Sequence, residues 1–306
     1  MVNVHQKKAY IALGITCLIW GTTYLVNKVG VSHVSPILFS AVRQLIAGGL
    51  MLAYCFLIKK FPFPDKEYLY FQFILGIVLI GIGNGVGIIG LSFIDSGLSA
   101  ILAALSPIVI AILNLYILPS AKLNKIAWAG VLTGFSGLLL ICFDKVKLEN
   151  LFTVGTGLGV SLTLISVIAW GAGSVYSKTK SFAQSTMIAA GFQMLFGSLP
   201  MIIMLIFDEK SRSQSFDGTA LWALLYVITF GSIIAYSFFI YALSHLPAII
   251  TGIQSYVSPV IAIILGFLIL DEPLNGYMIL GSALVLSGVF LVNYAELIRD
   301  KFRSST

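Results

Sequence analysis

The side chains able to do chemistry in this sequence are few, and most of them occur twice. WGTTYLVNK begins at Trp20 and WGAGSVYSK at Trp170, 150 residues apart in a chain of 306. Arg43 corresponds to Gln193 at the same interval, and Asn84 to Tyr236 at 152. The step Ser106-Pro107 corresponds to Ser258-Pro259, also at 152. Tyr24, Tyr176, Gln254 and Tyr256 stand at comparable depth in their segments. These residue types bind rather than cleave. An indole offers a flat apolar wall and one N–H, an amide donates and accepts, and a hydroxyl does either. A small-molecule pocket needs a few such groups in an apolar wall, and about half of these candidates are expected to face one.

Catalytic constellations are missing. There is no HExxH, no glycine-rich phosphate loop before a helix and no Cys/His cluster. His5, His33 and His245 are solitary, and Cys17, Cys55 and Cys142 are scattered through apolar runs, where small core residues are the expectation. No Asp or Glu lies inside an apolar run; Asp95, Asp271 and Glu272 stand at the edges. The expectation is therefore no enzyme, no metal and no cofactor. No buried proton carrier stands out, and a coupling ion such as a proton is left open.

Arg43 is the one Lys or Arg well inside an apolar run. A charge there costs about 2.5–3.5 kcal/mol on insertion scales, so it must face protein or water. It either binds a substrate carboxylate or bonds helix-end carbonyls near the outer surface. Gln193 at the equivalent position favours the structural reading, because an amide bonds a carbonyl but does not replace a cation. Lys28 and Lys178 read as helix-end residues that snorkel. Trp20 and Trp170 lie in mid-run, not at the interface where membrane Trp is usual, and so read as cavity wall. Pro107 and Pro259 fall near the middle of their runs, and each frees the carbonyl four residues earlier, at Ala103 and Ser255. Either they are packing kinks, or they are hinges beside a cavity. The glycines of GIGNGVGIIG and GVLTGFSG, spaced three or four apart, read as close helix packing.

The elements that must position these residues follow from composition. Charged residues are 10% of the chain and apolar ones 58%, against about 25% charged in a soluble domain. Mean hydropathy is +1.01. Ten apolar runs are long enough for membrane helices: 9–29, 37–58, 69–90, 96–118, 126–143, 155–176, 186–207, 219–241, 247–270 and 275–295. They do not alternate as barrel strands would. The first has no small-x-small cleavage site and reads as a span rather than a signal peptide. With the N-terminus cytoplasmic, twelve Lys and Arg fall on the inner side and five on the outer, so both ends are expected inside. The lipid bilayer is then the expected surrounding, and the net charge of +6 calls for no nucleic acid.

The correspondence continues as LSFIDSGLSAILAALSPIV with LSHLPAIITGIQSYVSPVI, and GVLTGFSGLLL with GSALVLSGVFL. The chain therefore reads as an all-α membrane protein of two five-helix copies, residues 1–150 and 151–306 with a short cytoplasmic tail. Because five is odd, the copies are inverted, the architecture of secondary transporters. The WG…K, Arg/Gln, SP and DEPL…G…SG features, in this order, resemble the EamA-type members of the drug/metabolite transporter superfamily over nearly all 306 residues. The resemblance implies ten helices, a central cavity between the halves and transport of small metabolites, often export. One departure is visible: such proteins usually carry a Glu after helices 4 and 9, and here Glu272 has no counterpart in PSAKL. The expected activity is alternating-access movement of a small solute, with amino acids and related zwitterionic or apolar compounds the favoured class. An intramembrane enzyme or a non-transporting scaffold is the alternative.

Overall fold

The computed structural model describes residues 4–94, 99, 102–117, 123–142, 154–270 and 275–303. Asp95, Asp271 and Glu272 lie outside them, as do the side chains of Tyr24 and Cys142. The described residues are helical, with no strand among them. In lipid every backbone N–H and C=O must be satisfied within the chain, which leaves a helix as the form for a continuous apolar run. The helices are α1 (Val4–His33), α2 (Pro36–Ile58), α3 (Lys66–Phe93), α4 (Ser106–Ile117), α5 (Lys125–Cys142), α6 (Val154–Tyr176), α7 (Thr186–Phe207) and α8 (Gly218–His245). There follow α9, in two pieces (Ala248–Gly252 and Gln254–Leu270), and α10 (Gly276–Arg303). A single helical turn, Glu209–Arg212, lies between α7 and α8. Seven helices among the described residues are long and apolar enough to cross a membrane; stretches of α4, α5 and α9 are apolar but shorter.

Helix starts recur at the repeat interval. Asp65 accepts from the Tyr68 N–H at 2.8 Å and Asp217 from the Ala220 N–H at 2.7 Å, opening α3 and α8. Asn124 caps α5 through the Ala127 N–H and Asn275 caps α10 through the Met278 N–H. A side-chain acceptor at this position satisfies one of the donors that a helix start leaves orphaned. The same spacing reappears in backbone shape: the stretches Gly76–Val86 of α3 and Val227–Tyr236 of α8 are both wound as π-helix.

Packing exchanges the two halves. α1 lies against α8 and α9, and correspondingly α6 lies against α3 and α4, while α2 pairs with α7 and α5 with α10. Small residues set the closest approaches. A Cβ on Gly137 would stand 2.6 Å from the Gly281 carbonyl oxygen, and one on Gly48 2.7 Å from the Leu195 nitrogen. The outer surface is apolar, with Leu57, Phe207, Trp222 and Phe290 strongly exposed, which suits a lipid surrounding.

Three sequence expectations change. α1 runs five residues past Lys28, and that ammonium reaches across to the Leu91 and Ile94 carbonyls at 3.0 and 3.1 Å, so it caps α3 rather than ending its own helix. Pro107 is not in mid-helix but second in α4, after a turn at 104–105. Pro259 does lie inside a helix, but only six residues after a turn at Ile253.

Candidate functional site

Four aromatic rings meet at the middle of the bundle. Trp20 of α1 stands edge-on to Trp170 of α6, with ring centres 5.7 Å apart. Phe239 of α8 lies 5.3 Å from Trp20 and 5.1 Å from Trp170, and Tyr236 lies 6.1 Å from Phe239. On one side of this layer lie buried apolar residues of the core, Leu13, Leu79, Ile240, Leu243, Ile249 and Ile250. On the other side, where α1 and α3 end and α6 begins, a cavity of about 180 Å³ remains.

The cavity wall comes from both halves. α1 contributes Trp20, Thr23 and Asn27, α2 contributes Arg43 and Gln44, and α3 contributes Asn84 and Gly87. α6 adds Thr163, Ser166 and Trp170; α8 adds Ser232 and Tyr236; Gln254 and Ser255 come from α9. Two hydroxyls cross between halves at equivalent places. Thr16 donates to the Ala235 carbonyl at 3.2 Å, and Ser166 to the Gly83 carbonyl. Both carbonyls belong to the π-wound stretches, where the wider turn disturbs the regular ladder and opens groups to side-chain partners. Trp20 adds a third such bond, from Nε1 to the Gly231 carbonyl at 3.1 Å. Its counterpart, the Trp170 N–H, has no partner.

A buried polar chain stands behind the floor. Tyr236 donates to Gln193 Oε1 at 2.6 Å, and Gln193 Nε2 donates to Gln72 Oε1 at 2.6 Å. In front of it Gln44 Nε2 donates to Asn84 Oδ1 at 2.9 Å. Arg43 donates from Nε to Ser232 Oγ at 2.8 Å and from Nη1 to Asn27 Oδ1 at 3.3 Å. Its partners are thus side chains of α8 and α1, not the helix-end carbonyls, which Lys28 takes. Arg43 is the single charged residue among the described lining residues.

Of the cavity candidates, Trp20, Asn84, Ser106, Trp170, Tyr236 and Gln254 line the space, and so does Arg43. The others lie elsewhere. Tyr176 packs on Phe71, with ring centres 5.1 Å apart, at the far end of α6. Tyr256 is buried against α5, where its hydroxyl donates to the Val131 carbonyl at 2.9 Å. Ser258 donates to the Cys17 carbonyl at 3.3 Å. Gln193 sits behind the floor. Pro107 and Pro259 are not on the wall, but Ala103 and Ser255, four residues before each, are. Sequence reasoning missed Thr163, Ser166, Gln44, Gly87 and Phe239. A signal existed for two of these: Ser166 corresponds to Thr16, and Gly87 to Phe239, at the repeat intervals of 150 and 152.

The bundle ends are each tied by one pair, formed by residues that are not repeat equivalents. His33 lies 2.7 Å from Asp217 at one end, and Lys180 lies 2.6 Å from Glu67 at the other. The Ala220 N–H and then His33 hold the Asp217 carboxyl below its usual range, and the bond to Glu67 raises the Lys180 ammonium. Burial lowers the Lys178 amine to about 8.

The EamA-like transporter family matches residues 7–143 and again residues 157–294. The chain is 30% identical over 288 residues to the uncharacterized inner membrane transporter YedA of Escherichia coli K12, covering 93% of this chain and 90% of that one. It is 27% identical to the uncharacterized transporter YoaV of Bacillus subtilis, over 92% and 96% of the two chains. A solved crystal structure shares the fold at a TM-score of 0.76 and 19% identity, over 94% of this chain and 97% of its own. With both halves matched, this chain belongs to the EamA-like transporter family and is a multi-pass membrane protein.

Proposed function

We propose that this chain is a secondary transporter that moves a small organic metabolite by alternating access, in the direction of export. Ten spans in two inverted five-helix copies, residues 1–150 and 151–306, carry it, with both ends cytoplasmic. The observation that carries this reading is the one-sided cavity over the Trp20–Trp170–Phe239–Tyr236 layer, between halves whose packing is exchanged. Such a site is reached from one end of the bundle, and the equivalent space at the other end is filled. Rocking the halves about the layer fills one end and opens the other, as inverted-repeat transporters do. With the N-terminus cytoplasmic, the hollow end faces outward. The twice-matched family and the transporter relatives support the same reading.

Reconstitution tests it. Purified protein in liposomes is expected to give saturable, counterflow-stimulated movement of an unmodified solute from a metabolite mixture. Recovery of a chemically altered product would instead make the chain an intramembrane enzyme. Absence of any saturable flux in right-side-out and inverted vesicles would leave it a scaffold.

A further inference from the structure

The cavity carries one charge and no described counter-charge. Arg43 is 4% exposed, and its two described partners, Ser232 and Asn27, are neutral. A guanidinium has five N–H donors, so most of its capacity is unused by the described protein. The Nη2 side is flanked by Gly231, where even a Cβ would approach to 3.2 Å. An uncompensated charge at this depth costs several kcal/mol, which neutral hydrogen bonds offset only in part. Three more polar atoms on the lining are buried without partners: Trp170 Nε1, Ser106 Oγ and Gln44 Oε1. The first is a donor, the second either donor or acceptor, and the third an acceptor.

What is missing matters as much. Among the described lining residues there is no Asp or Glu to hold an ammonium, and no second cation for a phosphate. The wall carries the Trp20, Trp170 and Tyr236 rings, with Phe239 buried against them, and suits an apolar or aromatic body. A cavity of about 180 Å³ has room for several waters or for a small organic solute.

We propose that the cavity selects a small monocarboxylate, held by its carboxylate on Arg43 with its body against Trp20 and Trp170, and that it discriminates against the matching α-amino acid. A planar guanidinium takes a carboxylate through two parallel bonds, and the free N–H of Trp170 is a further donor. The ammonium of an amino acid would be desolvated here without a carboxylate partner, and that selects against it. This departs from the amino-acid class expected from sequence, and it rests on the transport reading for its biological meaning.

The test is binding, separate from flux. Melting temperature of the purified protein is measured against propionate, benzoate, propionamide, benzamide and alanine at equal ionic strength. The carboxylates are expected to raise it with dose, while the matched amides and alanine need at least about tenfold higher concentration for the same shift. Arg43→Gln is expected to abolish the carboxylate shift, and Arg43→Lys to keep it about tenfold weaker, since a point charge survives but the fork is lost. Should Arg43→Gln fail to fold, Arg43→Lys and Trp170→Phe carry the test, both expected to weaken benzoate and leave benzamide unchanged. Equal shifts by acid and amide, alanine matching propionate, no shift by any carboxylate, or full retention in the Arg43 variants would each overturn the assignment. Liposome flux separates the two readings. Saturable flux of a neutral solute without carboxylate binding removes the anion site alone; carboxylate binding with no flux removes the transport reading alone.

Discussion

Trp20 and Trp170 are the same residue at equivalent positions, yet their N–H groups do different work. Trp20 donates to the Gly231 carbonyl inside a π-wound turn, whereas Trp170 has no partner and faces the cavity. Trp20→Phe is therefore expected to lower stability by about 0.5–1.5 kcal/mol, because it removes a buried hydrogen bond between the halves. Trp170→Phe is expected to leave the melting temperature nearly unchanged and to weaken solute binding. Equal melting losses in the two variants would erase the distinction. Tyr236 belongs with Trp20: Tyr236→Phe strands Gln193 Oε1 and should cost stability, and the loss should be less than additive with Gln193→Leu. At the other end of α6 burial lowers the Lys178 amine to about 8 against an ordinary value of 10.5. Between those values the unfolded chain holds more protons, so this group makes stability rise with pH. Lys178→Met should thus melt higher than the parent at pH 7, with the gap closing towards pH 10. At this scale the sequence showed which residues pair across the repeat, but not which atoms were already spoken for. Tyr256 and Ser258 read as wall because hydroxyls at that depth need partners; they found them in the Val131 and Cys17 carbonyls.

At the scale of the element, one difference between the copies falls at the hollow. Phe239 of α8 fills the floor, and its counterpart in α3 is Gly87, which lines the cavity. A side chain at Gly87 would meet Ser166 Oγ 2.5 Å from its Cβ. Gly87→Phe should close the cavity and abolish solute binding, measured by titration calorimetry; binding at parental affinity would show that the solute sits elsewhere. The prolines now separate as well. Pro107, second in α4, stands where a helix tolerates proline, so Pro107→Ala should be close to neutral in stability. Pro259 lies inside its helix, so Pro259→Ala should restore a bond to Ser255 and raise the melting temperature. If Pro259 shapes the wall through Ser255, transport falls while stability rises; a parallel fall of both returns it to a packing kink. Continuous apolar runs made the helices legible; the caps at Asp65, Asp217, Asn124 and Asn275 were not singled out in the sequence. The turns at 104–105 and 253 went unread, although Pro107 follows the first by two residues and Gly252 stands just before the second.

Over the whole molecule, the halves are tied at each end by one pair, His33 with Asp217 and Lys180 with Glu67. The exposed pairs add little stability in themselves. Their value is geometric, because each joins the end of one cross-packed helix to the start of its partner, α1 to α8 and α6 to α3. The cavity lies at the His33 end, so rocking would have to draw Lys180 and Glu67 apart to admit solute from the other side. A short thiol cross-linker between cysteines placed at 67 and 180 is therefore expected to stop turnover while leaving the hollow end accessible. Accessibility would be read at Asn27→Cys, a half-buried residue of the wall, with an impermeant thiol reagent, in a protein whose Cys142 is replaced by serine. Cys17 and Cys55 are buried and give little background. Cross-linked protein should show no flux and unchanged labelling at 27, and cleaving the linker should restore transport. Continued flux through the linked protein would mean that this end never opens, and with it the exchanged packing of α1–α8 and α6–α3 would be a static scaffold around a pocket, not the two sides of a gate.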